Sequence, residues 1–261
     1  MSVLLGRAPR DDNGDAARHP RAVILAGGKG TRLGPFTTIL PKPLLPLGDR
    51  AILEIVVQQL RTHGFTELTL AVGYLAHLIE AVFGDGSSYG VAIDYHHERV
   101  RLGTAGPLAS IRDLDGGPFL MMNGDVITTL DFGELVDAHV RSGNALTIAT
   151  QQRTATIDFG VLVTDASSSD TEAVTGYIEK PSSEYLVSMG IYVIEPRLLA
   201  LIEPNVYLDF PDLVLRALGA GERVGAFRYD GVWLDIGRHE DYERAIREYA
   251  DPSELLSPQQ A

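Results

Sequence analysis

The chain has 261 residues, is 45% hydrophobic, contains no cysteine and carries a formal net charge of −13. That is enough apolar material for one large α/β domain or two small ones; the acidity disfavours nucleic acid and anionic membrane as partners, and the missing thiols exclude disulfides, thiolate metal sites and cysteine nucleophiles. No stretch nears the ~18 apolar residues of a membrane span, and Val3-Leu4-Leu5 is too short for a signal peptide, so the expected setting is the cytoplasm and any phosphate site must be a local basic pocket.

Residues 1–20, with Asp11, Asp12, Asn13, Gly14 and Asp15, offer little to bury and are expected to form a disordered lead-in. Order should begin at Arg21. Ala22 to Ala26 is a short apolar run that stops at Gly27-Gly28, which suits a strand buried on both faces. After a Gly- and Pro-rich loop, Asp49 or Arg50 opens a helical pattern with Ile52, Ile55, Val56 and Leu60 on one face and Gly64 as the stop. Leu68–Val72 and Val91–Tyr95 read as strands around a helix from Ala76 to Phe83. Ala105–Ile111 reads as a helix and Phe119–Met122 as a strand ending at Asn123-Gly124-Asp125. Asp131 and Glu134 have capping-box spacing for a helix ended by Gly143.

This alternation predicts a Rossmann-like, mainly parallel sheet with helices on both faces. Past residue 145 the pattern turns to strands: Ala145–Thr150, Gly160–Thr164, Val174–Glu179 and Val187–Ile194. Ser167–Asp170 is a turn tip, Asp209–Leu218 and His239–Tyr249 are helices, and Val224–Trp233 between them reads as a hairpin. The expected organisation is one domain over 21–250, with a nucleotide-binding half at 21–144, a smaller mixed or antiparallel half at 145–250, and a frayed tail over 251–261.

The loop after the first strand reads Leu25-Ala26-Gly27-Gly28-Lys29-Gly30-Thr31-Arg32-Leu33. Glycines there let backbone N–H groups approach an anion. Leu33 stands where the dinucleotide fingerprint needs a third glycine, and the P-loop spacing also fails. Arg32 just past the turn can fork onto phosphate oxygens. Ten residues on, Pro41-Lys42-Pro43 holds a lysine between prolines in an extended backbone, a second cation for the same polyphosphate.

With these motifs the chain resembles the sugar-1-phosphate nucleotidyltransferases, whose pattern is a strand, G-G-x-G-T-R-L and then P-K-P-L-x-P. The likeness runs from about Ala22 to about Tyr242 through Leu102–Leu108, Asn123-Gly124-Asp125, Phe159-Gly160-Val161, Glu179-Lys180-Pro181, Gly190-Ile191-Tyr192 and Trp233–Gly237. It implies the reaction of a nucleoside triphosphate with a sugar 1-phosphate to give an NDP-sugar and pyrophosphate. The P-K-P-L-x-P and L-G-T-A-G-P-L forms are most similar to mannose-1-phosphate guanylyltransferases, which implies GTP, with mannose 1-phosphate or a heptose or cyclitol phosphate as the second substrate.

The resemblance also implies roles. Leu25, Ala26, Gly27, Gly28, Gly30, Thr31, Arg32, Gly103, Thr104 and Gly124 would meet the nucleotide. Asn123, Gly160, Glu179, Lys180 and Gly190 would meet the sugar phosphate, and Arg32, Lys42 and Lys180 would carry catalysis. Asp125, at a strand end, and Asp235 would hold Mg²⁺, because bare carboxylates beside a triphosphate need a hard cation between them. Ser188 departs from the asparagine that family members commonly place two residues before the glycine matching Gly190.

Other signals point elsewhere. Asp113-Leu114-Asp115 has the D-x-D form of many glycosyltransferase metal sites, but it precedes Gly116-Gly117-Pro118 and reads as a turn. Adjacent strand residues face opposite ways, so His96 and His97 cannot easily share one ion. Tyr74, at a strand end, fits a nucleotide contact or a packing role equally. The alternatives are a thymidylyl-, uridylyl- or cytidylyltransferase of another sugar 1-phosphate and, from other classes, a glycosyltransferase using Asp113 and Asp115 and then a silent NDP-sugar-binding homologue. Retention of Arg32, Lys42, Asp125 and Asp235 argues against the last.

Overall fold

The structure is a computed structural model that describes residues 21–165, 172–249 and 251–255. The expected lead-in over 1–20, the turn tip at Ser167–Asp170 and the last six residues lie outside these. In chain order the elements are β1 (Ala22–Leu25), the short pair β2 (Pro46–Leu47) and β3 (Arg50–Ala51), α1 (Ile52–Thr62), β4 (Glu67–Val72), α2 (Ala76–Phe83), β5 (Ala92–His97), β6 (Phe119–Asn123), β7 (Val126–Thr128) and α3 (Phe132–Ser142). There follow β8 (Leu146–Thr156), β9 (Val161–Asp165), β10 (Ala173–Ile178), β11 (Ser182–Ile194), α4 (Phe210–Gly219), β12 (Val224–Arg228), β13 (Trp233–Asp235) and α5 (His239–Glu248).

Seven strands form one sheet in the order β12-β8-β11-β6-β1-β4-β5. All run the same way except β11, which is antiparallel to both neighbours. The mainly parallel, mixed sheet flanked by helices is as expected, and strands from both expected halves share it. On one face Leu53, Val56 and Leu60 of α1 and Ile79 and Phe83 of α2 pack on Ile24, Leu70 and Met122. The other face carries Val23 and Met121 under Ala105, Leu108, Leu213 and Ala217. Each large aliphatic side chain so buried contributes roughly 1.5–3 kcal/mol. Asp131 caps α3 by accepting the Glu134 N–H at 3.0 Å, and Gly143 closes that helix in the left-handed conformation. Among the described residues no helix is long and apolar enough to cross a membrane.

Several expectations are corrected. Residues 105–111 hold a 3-10 turn at Gly106–Ser110 rather than an α-helix, since two glycines and a proline fall near its start and both Ala105 and Gly106 donate to the Leu208 carbonyl. Val224–Trp233 is no hairpin: β12 joins the main sheet beside β8, while β13 pairs with β7 in a separate ribbon. The Asp230-Gly231 turn between two apolar runs imitates a hairpin in sequence. β8 and β11 extend well beyond their expected ends, because Gln152–Thr156 and Ser182–Leu186 are exposed and carry no inward apolar alternation to read. The tail opens not with frayed chain but with a 3-10 turn at Pro252–Leu255, whose Leu255 is buried and whose carbonyl accepts from Gln59 Nε2 at 2.7 Å.

His139 of α3 is fully buried, with Nδ1 2.8 Å from Thr147 Oγ1 and Nε2 3.5 Å from Glu195 Oε1. Burial holds its pKa below the ordinary value although Glu195 opposes the shift. The stability that a neutral imidazole contributes is then present above the ordinary value of 6.5 and is lost as pH falls through the folded-state value. The melting temperature is therefore expected to fall more steeply between about pH 7.5 and about pH 5.5 in the wild type than in His139→Gln. Equal slopes would contradict this assignment.

Candidate active site

The chain leaves β1 for β4 on one side, while β6 lies on the other. Ligands of open α/β sheets bind beyond the carboxyl ends of strands at such a reversal. A cavity of about 370 Å³ opens there. It gathers the whole expected nucleotide set: Leu25, Ala26, Gly27, Gly28, Gly30, Thr31 and Arg32 from the first loop, Gly103 and Thr104 from the second, and Gly124 beyond β6. Lys42, Asn123 and Asp125 share the lining.

Local bonds fix the first loop. Thr31–Leu33 forms a 3-10 turn, Thr37 Oγ1 donates to the Gly30 carbonyl at 2.8 Å, and Tyr74 Oη donates to the Thr38 carbonyl at 2.8 Å. Tyr74 thus ties down the segment that follows the loop. Lys42 differs from expectation: Pro41 is extended, but Lys42 begins a 3-10 turn. It is only 7% exposed and its ammonium is paired with the Asp125 carboxylate. A buried ammonium requires such a partner.

Asp235 reaches Asp125 through the β13–β7 ladder, in which Asp235 stands opposite Val126 and the Ile236 N–H donates to the Asp125 carbonyl at 3.1 Å. Leu33, Ile52, Ile55, Ile127, Leu234 and Ile236 form a separate apolar cluster beneath that ribbon. Although Asp235 keeps an exposed face, desolvation and then the Asp125 charge push its carboxyl above the ordinary range, with Lys42 and Arg32 acting against them. Two hard-oxygen donors held together at such a cost suit a divalent cation. Among the described residues no group of three or more histidines and carboxylates is placed to hold a metal ion, so phosphate oxygens and water would complete the coordination of a cation held here.

The remaining expected residues divide. Gly190 lies beside Asn123: its φ is +75°, and a Cβ there would stand 2.6 Å from Asn123 Nδ2. Gly160, Glu179 and Lys180 do not line the cavity. They sit with the exposed β9–β10 hairpin, where Gly160 packs against the Tyr177 ring and Tyr177 Oη donates to Glu179 Oε2 at 3.0 Å. Thr104 is engaged elsewhere: its Oγ1 accepts the Phe210 N–H at 2.7 Å, tying the second loop to the start of α4. Asp113 and Asp115 lie outside the cavity, so the D-x-D carries no chemistry there.

Sequence reasoning missed Glu98. It follows β5, lines the cavity, accepts the Leu102 N–H at 3.3 Å and comes so near Gly27 that a Cβ there would meet its Oε1 at 2.9 Å. Burial raises its pKa. The signal that could have found it is an acid just past the end of a parallel strand, as for Asp125.

A family model described as "Nucleotidyl transferase" matches residues 21–252. A UTP–glucose-1-phosphate uridylyltransferase from Synechocystis is 34% identical over 246 residues, covering 87% of this chain and 62% of its own length. A mannose-1-phosphate guanyltransferase from Schizosaccharomyces pombe is 34% identical over 229 residues, covering 85% and 62%. The chain thus spans just under two thirds of the length of these relatives. A structure of a putative glucose-1-phosphate thymidylyltransferase from Bacillus anthracis superposes with a TM-score of 0.71 at 24% identity, covering 88% of this chain and 95% of that one. At that identity the likeness establishes the fold.

Gly190→Ala tests the packing behind Asn123. A left-handed backbone and the 2.6 Å approach to Asn123 Nδ2 make the substitution cost more than about 1 kcal/mol. Urea denaturation reads this as a lower midpoint, and an unchanged midpoint would contradict the geometry.

Proposed function

The chain belongs to the nucleotidyl transferase family, and on that premise we propose that it is a sugar-1-phosphate nucleotidyltransferase that uses GTP. The observation that carries the class is the cavity at the β1/β6 strand ends, where a glycine loop, Arg32, Lys42 and Asp125 converge, with Asp235 on the ribbon beside them. The relatives include both uridylyl- and guanylyltransferases, so family membership leaves the base open. Glu98 supports guanine. A fixed carboxylate accepts two parallel hydrogen bonds from a guanine N1–H and N2–H₂, whereas uracil and thymine offer one N–H and adenine and cytosine none from the ring. Mannose 1-phosphate, or a heptose or cyclitol phosphate, is the proposed second substrate, with the cytoplasm as the proposed setting.

In the proposed reaction an oxygen of the sugar phosphate forms a bond to the α-phosphorus of GTP. The bond from that phosphorus to the α,β-bridging oxygen breaks, and pyrophosphate leaves with the electron pair. The nucleophile is already ionised, so no general base is required; catalysis is positioning and charge stabilisation. The glycine loop's N–H groups and Arg32 receive the triphosphate. Lys42, held in place by Asp125, presents a fixed positive charge. Asp125 and Asp235 are the residues that would hold Mg²⁺, which when bound supplies further charge neutralisation. Asn123, with Gly190 behind it, faces the sugar, and Glu179 and Lys180 of the hairpin are proposed to meet the sugar phosphate.

Pyrophosphate release measured with five nucleoside triphosphates against a panel of sugar 1-phosphates tests the reading. GTP is expected to give the highest kcat/KM, and Glu98→Gln to lower it for GTP by roughly tenfold or more while affecting UTP less. A better triphosphate than GTP, or a Glu98→Gln variant with unchanged selectivity, refutes the guanine assignment. The two halves separate in a second experiment. Arg32→Ala should lower kcat strongly, whereas Lys180→Ala should mainly raise the KM for the sugar phosphate and leave GTP binding by calorimetry nearly unchanged. Loss of GTP binding in Lys180→Ala would reverse the assignment.

A further inference from the structure

On one face the two strands at the β5 edge are covered by α1 and α2. Leu68, Leu70 and Ile93 point to α1 and α2, so the alternate residues Thr69, Asp94 and His96 point the other way, with Thr69 opposite Asp94 and Ala71 opposite His96. That face opens on a cleft of about 520 Å³, rimmed by Ser110, Ile111, Arg112 and Asp113 at the end of the 106–110 turn and just beyond it. Its floor is polar and incompletely bonded. Thr69 is 3% exposed, and its Oγ1 has no hydrogen-bond partner among the described residues; the buried Nε of Arg21 has none either. Buried polar atoms normally find partners, so an unpaired hydroxyl and an unpaired N–H lining one cleft point to a ligand.

We propose that this cleft binds an uncharged, polyhydroxylated small molecule of about hexose size, apart from the nucleotide cavity. Charge argues for neutrality. Arg21 and Arg112 stand against Asp94 and Asp113, and Arg21 is already held by Asp94 at 3.3 Å and by the Arg112 carbonyl at 2.9 Å. A phosphate would meet the carboxylates and an ammonium the guanidiniums. Hydroxyl groups both donate and accept, and so can serve the Arg21 N–H, the Thr69 hydroxyl and the two carboxylates at once. His96 lies 3.4 Å from Ser110 Oγ through Nε2, and burial, then His97, lower its pKa; a neutral imidazole offers one donor and one acceptor. Ile111 supplies an apolar wall for the C–H face of a ring.

The cleft also adjoins the nucleotide cavity along two continuous segments. β5 lines the cleft through Tyr95, His96 and His97, and Glu98 immediately after it lines the cavity. The segment from Gly103 and Thr104 to Ser110 does the same from the other side. Filling the cleft is therefore expected to change nucleotide affinity. This coupling rests on the reading of the cavity as the nucleotide site; binding in the cleft does not.

Calorimetric titration of the full chain with D-mannose, D-glucose, myo-inositol and, separately, inorganic phosphate tests the site without any turnover. At least one polyol is expected to bind, and Thr69→Val, which removes only the hydroxyl and preserves shape, is expected to weaken it about tenfold while the melting temperature stays at or above that of the wild type. Ser110→Ala should weaken it further. No polyol binding, binding by phosphate alone, or polyol binding untouched by both substitutions overturns the proposal. GTP affinity measured with the cleft saturated should shift by a factor of about two or more; an unchanged value would remove the coupling while leaving the site.

Discussion

The pairing of Lys42 with Asp125 is the contact on which the rest of the site depends. Lys42 is only 7% exposed and its ammonium is paired, and the carboxylate that serves it follows β6 at the sheet reversal. The same carboxylate is bracketed by the β7–β13 ribbon, which brings Asp235 across from Val126. A chain with a net charge of −13 thereby sets Lys42, Arg32 and Asp125 around one cavity, with Asp235, the proposed second cation ligand, on the adjoining ribbon. The apolar cluster under the ribbon, with Ile127, Leu234 and Ile236 all buried, keeps the pair from relaxing apart. Stability and function here compete, since that cluster holds two like charges together.

The two proposed substrates would meet surfaces of different character. The proposed nucleotide side is built on strand ends and short loops whose backbone is tied at several points, as Thr37, Tyr74 and Thr104 show. The proposed sugar-phosphate side begins at Asn123 and Gly190, on the sheet, and passes to Gly160, Glu179 and Lys180 on an exposed hairpin that also displays Phe159, Leu162 and Tyr177 to solvent. A tied-down frame on the proposed triphosphate side and a more accessible one on the proposed sugar side fit a family whose relatives here are named for glucose and mannose phosphates.

Much of this was legible in the sequence because it is local. Ala22–Leu25 reads as a buried strand from four apolar residues, and Asp131 with Gly143 marks both ends of α3. The glycine loop and Lys42 carry their chemistry in residue type and spacing. What escaped depends on partners far along the chain. Val126–Thr128 is too short to stand out as a strand and gains its meaning from Trp233–Asp235. The Asp230-Gly231 turn looked like a hairpin, although its two flanks enter different sheets. Glu98 is an ordinary surface acid by composition, and only the approach of Gly27 shows which way it faces.

Asp125 and Asp235 are proposed to form one cation site that the nucleotide completes. Mn²⁺ binding followed by electron paramagnetic resonance, with and without GTP, measures this directly in the wild type, in Asp125→Asn, in Asp235→Asn and in the double variant. GTP is expected to strengthen Mn²⁺ binding in the wild type. Each single substitution should weaken the ternary complex by about tenfold or more, and the double variant should fall short of the sum because both residues serve one ion. Wild-type Mn²⁺ affinity in either single variant, or independent and fully additive losses, would contradict it.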